Sequence, residues 1–274
     1  MNSARANAWA TEFVYRLLPA DPRGQRELAL FLDVDGTLVG FSPTPVETTI
    51  SSELRALLDT LTQQLDGAVS IVSGRSMRDL DRLFPAPAFA RIGAHGGEIR
   101  TPAGLLASAA APDPAVMTEV RVALQRAVAS EPRLYFEDKG VSVALHYRRA
   151  PDCEPMVRQL VSELAQTGSG LRIQWGAAVA ELRGDSFDKG TAVEALRQRA
   201  PFRGRLPLYF GDDDTDLPAL QHVASAGGRA VAVGPRLSAT SYQHLAGPTD
   251  VCAVLHALSA ALANTDAAAG GSGP

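Results

Sequence analysis

Residues 28-LALFLDVDGT-37 set five apolar side chains directly before two aspartates and a glycine. A short continuous apolar run closed by turn residues suits a buried parallel strand. The same grammar returns at 68-AVSIV-72, which ends at Ser73, and at 206-LPLYF-210, which ends at Gly211 and Asp212. Helical spacing fills the intervals: Leu54, Leu57, Leu58, Leu61 and Leu65, then Met77, Leu80, Leu83 and Phe84. It recurs at Ala192, Val193 and Leu196, and at Val251, Val254, Leu255, Leu258 and Leu262. Such alternation predicts an α/β fold with a doubly wound parallel sheet. Ligands of these sheets lie outside the carboxyl ends of the strands. Asp33, Ser73 and Asp212 all fall there, so three distant segments can meet in one crevice.

The middle of the chain follows another rule. Apolar residues at Val116, Val120, Leu124 and Val128 predict a helix over 114–129, followed by strands at 133-RLYFE-137 and 141-VSVALHYR-148. In the second strand Val141, Val143, Leu145 and Tyr147 alternate with Ser142, Ala144, His146 and Arg148, the period of a one-sided strand. A further helix over 153–166 and strands at 171-LRIQW-175 and 178-AVAELR-183 repeat the order. Two helix–strand–strand units predict an α+β cap with an antiparallel sheet, inserted into a Rossmann-like core. The expected division is an N-terminal extension over 1–27, a core over 28–108 and 184–264, a cap over 109–183 and a flexible tail over 265–274.

Composition narrows the classes. Of 274 residues, 46% are apolar, enough for a sizeable core, and the net charge of −4 argues against nucleic-acid binding by bulk charge. The two cysteines, Cys153 and Cys252, lack metal-ligand spacing and read as reduced, packed thiols. Thr11, Glu12 and Arg16 interrupt 8-AWATEFVYRLL-18, so no secretory signal is read there. No run approaches the ~20 apolar residues of a membrane span. The expectation is a soluble cytoplasmic protein that engages neither membrane nor nucleic acid.

Chemistry gathers at the strand ends. The segment 211-GDDDTD-216 holds Asp212, Asp213, Asp214 and Asp216. Taken alone it is an Asp-rich turn, and the EF-hand pattern fails because the terminal glutamate is missing. If Asp33 and Asp212 end neighbouring strands, their carboxylates repel by roughly 4 kcal/mol at about 4 Å and an effective dielectric near 20. Either some are protonated or a cation sits among them. All-oxygen donors favour Mg²⁺ over zinc. In 33-DVDGT-37 the two carboxylates share one side of an extended chain, and Gly36 and Thr37 let it turn away. One can attack phosphorus while the other moves a proton to the leaving oxygen and from water. Lys189, in 188-DKG-190, can neutralise the nucleophile and an incoming phosphate, although alone it reads as a surface lysine. Ser73 offers a hydroxyl, and Arg75 in 73-SGRS-76 can clamp an anion.

The ordered set 33-DVDGTL-38, 72-VSGR-75, 188-DKG-190 and 211-GDDDTD-216 resembles the haloacid dehalogenase superfamily of phosphatases. With 95-HGGEIR-100, 137-EDKGVSVALHYR-148 and 181-ELR-183, the chain more narrowly resembles the trehalose-6-phosphate phosphatase family from about residue 28 to about residue 260. The resemblance implies a Mg²⁺-dependent phosphatase of trehalose biosynthesis, with Asp33 as nucleophile and Asp35 as general acid and then base. It implies that Asp33, Asp212 and the Asp35 carbonyl hold the metal, with Asp213 and Asp216 in support. Ser73 and Lys189 would hold the phosphoryl group. Glu137, Lys139 and Glu181 would bind sugar hydroxyls, Arg75 and Arg148 would reach the phosphate or its edge, and His95 and Glu98 would line the core side. The implied partner is a small sugar phosphate, with a functional link to a trehalose-phosphate synthase. Two departures stand out: Ala177 replaces a common lysine before the cap glutamate, and Leu217 replaces a glutamate after Asp216. Ala177 keeps a phosphatase of sucrose, mannosylglycerate or hexose phosphate as an alternative. A non-catalytic sugar-phosphate sensor is a further one, although Asp33, Asp35, Lys189 and Asp212 are all present. His222, His244 and His256 read as structural.

Overall fold

The computed structural model describes residues 3–21, 27–41, 47–108, 113–166, 170–176, 178–238 and 240–270. Helix α1 (Ser3–Leu17) precedes β1 (Leu28–Leu32), α2 (Ser52–Gln64), β2 (Val69–Val72), α3 (Met77–Leu83) and β3 (Ala90–Gly93). After β4 (Glu98–Thr101) and β5 (Gly104–Ser108) come α4 (Pro114–Ser130), β6 (Tyr135–Asp138) and β7 (Ser142–His146). They are followed by α5 (Glu154–Gln166), β8 (Leu171–Gly176), β9 (Val179–Gly184), α6 (Lys189–Arg197) and β10 (Leu206–Gly211). Helix α7 (Leu217–Ser225), β11 (Arg229–Val233), β12 (Gln243–Leu245) and α8 (Pro248–Gly270) complete the order.

Eight strands form the main sheet in the order β12-β11-β10-β1-β2-β3-β4-β5. Every residue of β1 and β2 is buried, as continuous apolar runs require. From the adjacent strands β1 and β10 the chain leaves in opposite directions, to β2 and to β11. Right-handed crossovers then put α2 and α7 on opposite faces. The switch point of the sheet therefore lies between β1 and β10. Their parallel register pairs Leu32 with Phe210, so Asp33 and Asp212 emerge side by side. Strands β4 and β5 run antiparallel at one edge.

Local chemistry sets the helix starts. Ser51 caps α2 by accepting from the Leu54 N–H at 3.1 Å. Asp188 and Thr191 form a reciprocal capping box at α6, which fixes the turn that carries Lys189. Helix α1 buries Ala10, Phe13, Val14 and Leu17 and packs on α8, so the stretch read as an extension contributes to the main core. Helix α8 continues to Gly270, past the expected start of a tail at 265, because Ala267, Ala268 and Ala269 favour helix strongly.

The second sheet is antiparallel, in the order β6-β7-β9-β8. The two helix–strand–strand units join through β7 and β9. One face carries Val143, Leu145, Ala180 and Leu182 against α4 and α5, a core separate from that of the main sheet. The other face is not the solvated one that alternation suggests. Ser142 and Ala144 are fully buried, because this face turns toward the main sheet. Val141, Phe187 and Ala94 form a small apolar joint between the sheets.

Candidate active site

The cleft between the sheets has a volume of about 1700 Å³. Its floor is the switch point. The Asp33 N–H donates to the Phe210 carbonyl at 3.0 Å, which anchors the first carboxylate at its strand end. Lys189 Nζ donates to Asp33 Oδ1 at 2.9 Å and to Asp216 Oδ1 at 2.8 Å, with all three groups buried. Asp216 accepts three more protein donors on the floor: Tyr209 Oη–H at 2.6 Å, the Asp212 N–H at 3.1 Å and the Asp213 N–H at 3.3 Å. Asp216 thus holds the acidic loop in shape with its lone pairs already engaged, whereas Asp33 Oδ2 is buried without a partner.

One ammonium faces several carboxylates. Burial, reinforced by Asp216, Asp212 and Asp213 and opposed by Lys189, pushes the Asp33 carboxyl well above its ordinary range. Burial also raises Asp212, together with Asp213 and Asp216, to about 7. Burial alone would lower Lys189, but Asp216 and Asp33 outweigh it and keep the ammonium charged. The site is short of positive charge. Carboxylate oxygens of Asp33, Asp212 and Asp216 lie within 4.8 Å of one another. The unpartnered Asp33 oxygen and this hard oxygen set fit a divalent cation.

Asp35 stands on the other wall. Arg75 grips it with two bonds, Nε to Oδ2 and Nη2 to Oδ1, each 2.6 Å, and also donates to Thr48 Oγ1 at 2.6 Å. The arginine expected at the phosphate edge is therefore seated on the proton-transfer candidate. Ser73 is buried beside it, and its hydroxyl accepts the Arg75 N–H at 3.1 Å.

The roof belongs to the second sheet. Lys139 Nζ donates to Glu181 Oε2 at 2.5 Å and crosses to the Gly74 carbonyl at 2.9 Å. Ser142 Oγ–H donates to Glu181 Oε1 at 2.7 Å, and His146 Nε2 lies 2.8 Å from Glu137 Oε2. His95 approaches from below, with Nε2 at 3.4 Å from Glu181. Its backbone is left-handed (φ 55°), a strained state for a non-glycine residue, held by its N–H donating to the Ser73 carbonyl at 3.0 Å. The ring lies so close over Gly74 that a Cβ there would sit 2.3 Å from it.

Residues 31–240 match the trehalose-phosphatase family. The chain belongs to that family. It is 35% identical over 245 residues to the trehalose-6-phosphate phosphatase of Escherichia coli K12, covering 89% of this chain and 91% of that one. It is 38% identical over 213 residues to a probable trehalose-phosphate phosphatase of Sinorhizobium fredii, covering 77% and 80%. In fold it is similar to the C-terminal domain of Candida albicans trehalose-6-phosphate phosphatase, with a TM-score of 0.73 at 24% identity over 87% of this chain and 95% of that one. As a member of the trehalose-phosphatase family the protein is a phosphoric monoester hydrolase, and its α/β core with a large parallel-dominated sheet is that of haloacid dehalogenase-like proteins. No described helix is long and apolar enough to cross a membrane.

Most residues singled out in the sequence meet in the cleft: Asp33, Asp35, Ser73, Arg75, His95, Glu137, Lys139, Arg148, Glu181, Lys189, Asp212 and Asp213 line it. Asp216 lies beneath the floor. Glu98 does not join them. It sits on β4, bonded to Arg100 at 3.0 Å, and Arg100 in turn holds Asp81. Ala177 lies outside the described residues. Sequence reasoning missed Thr48, Tyr209 and Arg236. Arg236 reaches within 3.7 Å of both Asp212 and Asp213 and lies over the Phe41 ring. None of the three sits in a motif, and only packing reveals them.

Two expected outcomes arise from this geometry. Gly36 has φ +88°, and a Cβ there would sit 2.2 Å from Asp212 Oδ2. Gly36→Ala should displace that carboxylate and lower kcat/KM for phosphate release by about 10²-fold, with a higher divalent-cation concentration needed for half-maximal rate. The second concerns the roof. Burial alone would raise Glu181, yet Lys139 holds it well below the usual glutamate range. Lys139 is the main counter-charge, and His95, which burial holds below its ordinary value, is a second partner at 3.4 Å. A depressed carboxyl contributes stability above its ordinary value of 4.5 and loses it as pH falls below that value. The urea midpoint should therefore drop between pH 5 and pH 3, and the drop should be smaller in Glu181→Gln.

Proposed function

We propose that the protein hydrolyses trehalose 6-phosphate to trehalose and phosphate through an aspartyl-phosphate on Asp33. The observation that carries this reading is the meeting of Asp33, Lys189 and Asp212 at the switch point beneath a polar, Glu- and Lys-bearing roof. Asp33 attacks phosphorus, the bond to the sugar oxygen breaks, and Asp35 delivers the proton to that oxygen. Water then attacks phosphorus, gives its proton to Asp35 and releases Asp33. Lys189 and Ser73 hold the phosphoryl oxygens. Arg75 passes from Asp35 to the arriving phosphoryl group, which frees the carboxyl to turn toward the leaving oxygen. Asp33 and Asp212, with the Asp35 carbonyl, would hold Mg²⁺, supported by Asp213 and Asp216. The ion, when bound, supplies the positive charge that the carboxylates lack and draws charge from the phosphoryl oxygens.

Glu137, Lys139 and Glu181 offer planar and rotatable donors and acceptors for sugar hydroxyls. Closure of the roof excludes water while the covalent intermediate forms. Arg148 lines the outer part of the cleft. A synthase that makes trehalose 6-phosphate must supply the substrate, which is the functional link expected. The test is a phosphate-release panel of trehalose 6-phosphate, sucrose phosphate, mannosylglycerate phosphate and glucose 6-phosphate, with Mg²⁺ or with EDTA. Trehalose 6-phosphate should lead in kcat/KM by more than about tenfold, ~1.4 kcal/mol, and EDTA should stop turnover. A smaller preference overturns the substrate reading, and undiminished turnover in EDTA overturns the metal.

A further inference from the structure

The roof carries more binding surface than the hydroxyl-binding groups named so far. Strand register sorts its cleft face into rows. Glu137, Ala144, Glu181 and Gln174 are paired across all four strands in one row. Two residues further from the floor, Tyr135, His146, Val179 and Gly176 make the next. Lys139, which touches the Gly74 carbonyl of the floor, fixes which end of the roof is proximal. The two rows are about 7 Å apart, two residues at about 3.4 Å each. That is comparable with the width of a hexose ring.

The outer row has an unusual surface. Tyr135 lines the cleft yet is 55% exposed, while its neighbour Phe136 packs into the apolar side of the same sheet. Its ring stands 5.5 Å from the His146 imidazole at 46°. The imidazole is fixed in turn by its bond to Glu137 in the inner row. Across the row the side chains shrink to Val179, whose Cγ1 covers Gly176 (2.7 Å from where a Cβ would stand), so the row stays low beside the aromatic pair. An apolar ring face, a fixed imidazole and a neighbouring strand of small side chains are what a saccharide ring uses, with C–H groups on the aromatic and hydroxyls at the edge.

We propose that Tyr135, backed by His146, is the platform for the sugar ring remote from the phosphate, and so a determinant of disaccharide over monosaccharide phosphates. The inference rests on the reading of the protein as a disaccharide-phosphate phosphatase and assigns its outer subsite. With the phosphoryl group at Asp33, the proximal ring lies under Glu137 and Glu181 and the distal ring under Tyr135.

Steady-state kinetics of the wild type, Tyr135→Ala and Tyr135→Phe on trehalose 6-phosphate and glucose 6-phosphate test this, with trehalose as product inhibitor. Tyr135→Ala should raise KM for trehalose 6-phosphate and the inhibition constant of trehalose by about tenfold, leaving kcat within about twofold. Its KM for glucose 6-phosphate should stay within about twofold of wild type, and Tyr135→Phe, which keeps the ring, should behave as wild type. The half-exposed edge location makes misfolding a small risk, and a thermal melt of each variant checks it. Equal change on both substrates, no change on either, or a Tyr135→Phe variant as impaired as Tyr135→Ala overturns the platform alone. Wild-type protein that fails to turn over trehalose 6-phosphate, or that prefers glucose 6-phosphate, overturns the functional reading beneath it and the platform with it.

Discussion

Asp33→Asn is expected to release phosphate at least about 10⁴-fold more slowly than the wild type while keeping its fold. The amide has nearly the shape of the carboxylate but cannot attack phosphorus. It also removes one negative charge from a buried cluster that holds a single ammonium. Lys189 keeps its second partner, Asp216, at 2.8 Å. Burial first, and then Asp216, raises the Asp33 carboxyl in the folded protein. A raised carboxyl contributes stability below its ordinary value of 3.8, and that contribution is lost as pH rises through the folded value. In EDTA the wild type should therefore lose melting temperature from pH 5 to pH 8 more steeply than the variant does. Phosphate release within tenfold of wild type would remove Asp33 from the nucleophile role. A variant that melts well below wild type in EDTA at pH 8 would contradict the charge argument.

Lys189→Met should be the most damaging single change to the metal-free fold. The Lys189 side chain is 3% exposed, and its ammonium bonds two carboxylates at 2.9 and 2.8 Å. A thioether of similar length fills the space but leaves Asp33 and Asp216 buried without a counter-charge. Breaking a buried pair from one side costs about 3–5 kcal/mol, read as a shift of the urea midpoint in EDTA. Turnover should vanish as well, because the same ammonium holds the phosphoryl group in the proposed reaction. A double-mutant cycle separates charge from packing. Asp216→Asn made together with Lys189→Met should cost less than the two single changes summed. Strict additivity, or a loss below about 1 kcal/mol for Lys189→Met, would show that the pair does not carry the floor.

Much of this architecture is legible along the chain. The run 28-LALFL-32 is continuous because both faces of β1 are covered, and the acids that end it mark where the covering stops. Both helix–strand–strand units could be read because each strand pair is local in sequence. Strands β3, β4, β5, β11 and β12, toward the two sides of the main sheet, escaped because they are short, and segments such as Glu98–Thr101 mix charged and apolar residues and draw their strand state from neighbours. The family resemblance of 95-HGGEIR-100 implies Glu98 on the core side of the cleft beside His95. Its strand carries it away to Arg100.

The amino-acid sequence by itself determined the apolar runs, the helix caps and the placing of Asp33, Ser73 and Asp212 at strand ends. These follow from the periods and turn preferences of a few adjacent residues. Only the tertiary structure decided the partners. It seats Arg75 on Asp35, forty residues away, engages Asp216 with Lys189 and Tyr209, and turns the polar face of Ser142 and Glu181 into a roof. Such choices depend on register and reach between segments whose order no local pattern encodes. A carboxylate that is one of several in GDDDTD becomes either a cation's candidate ligand or a buried brace according to which donors the fold brings to it.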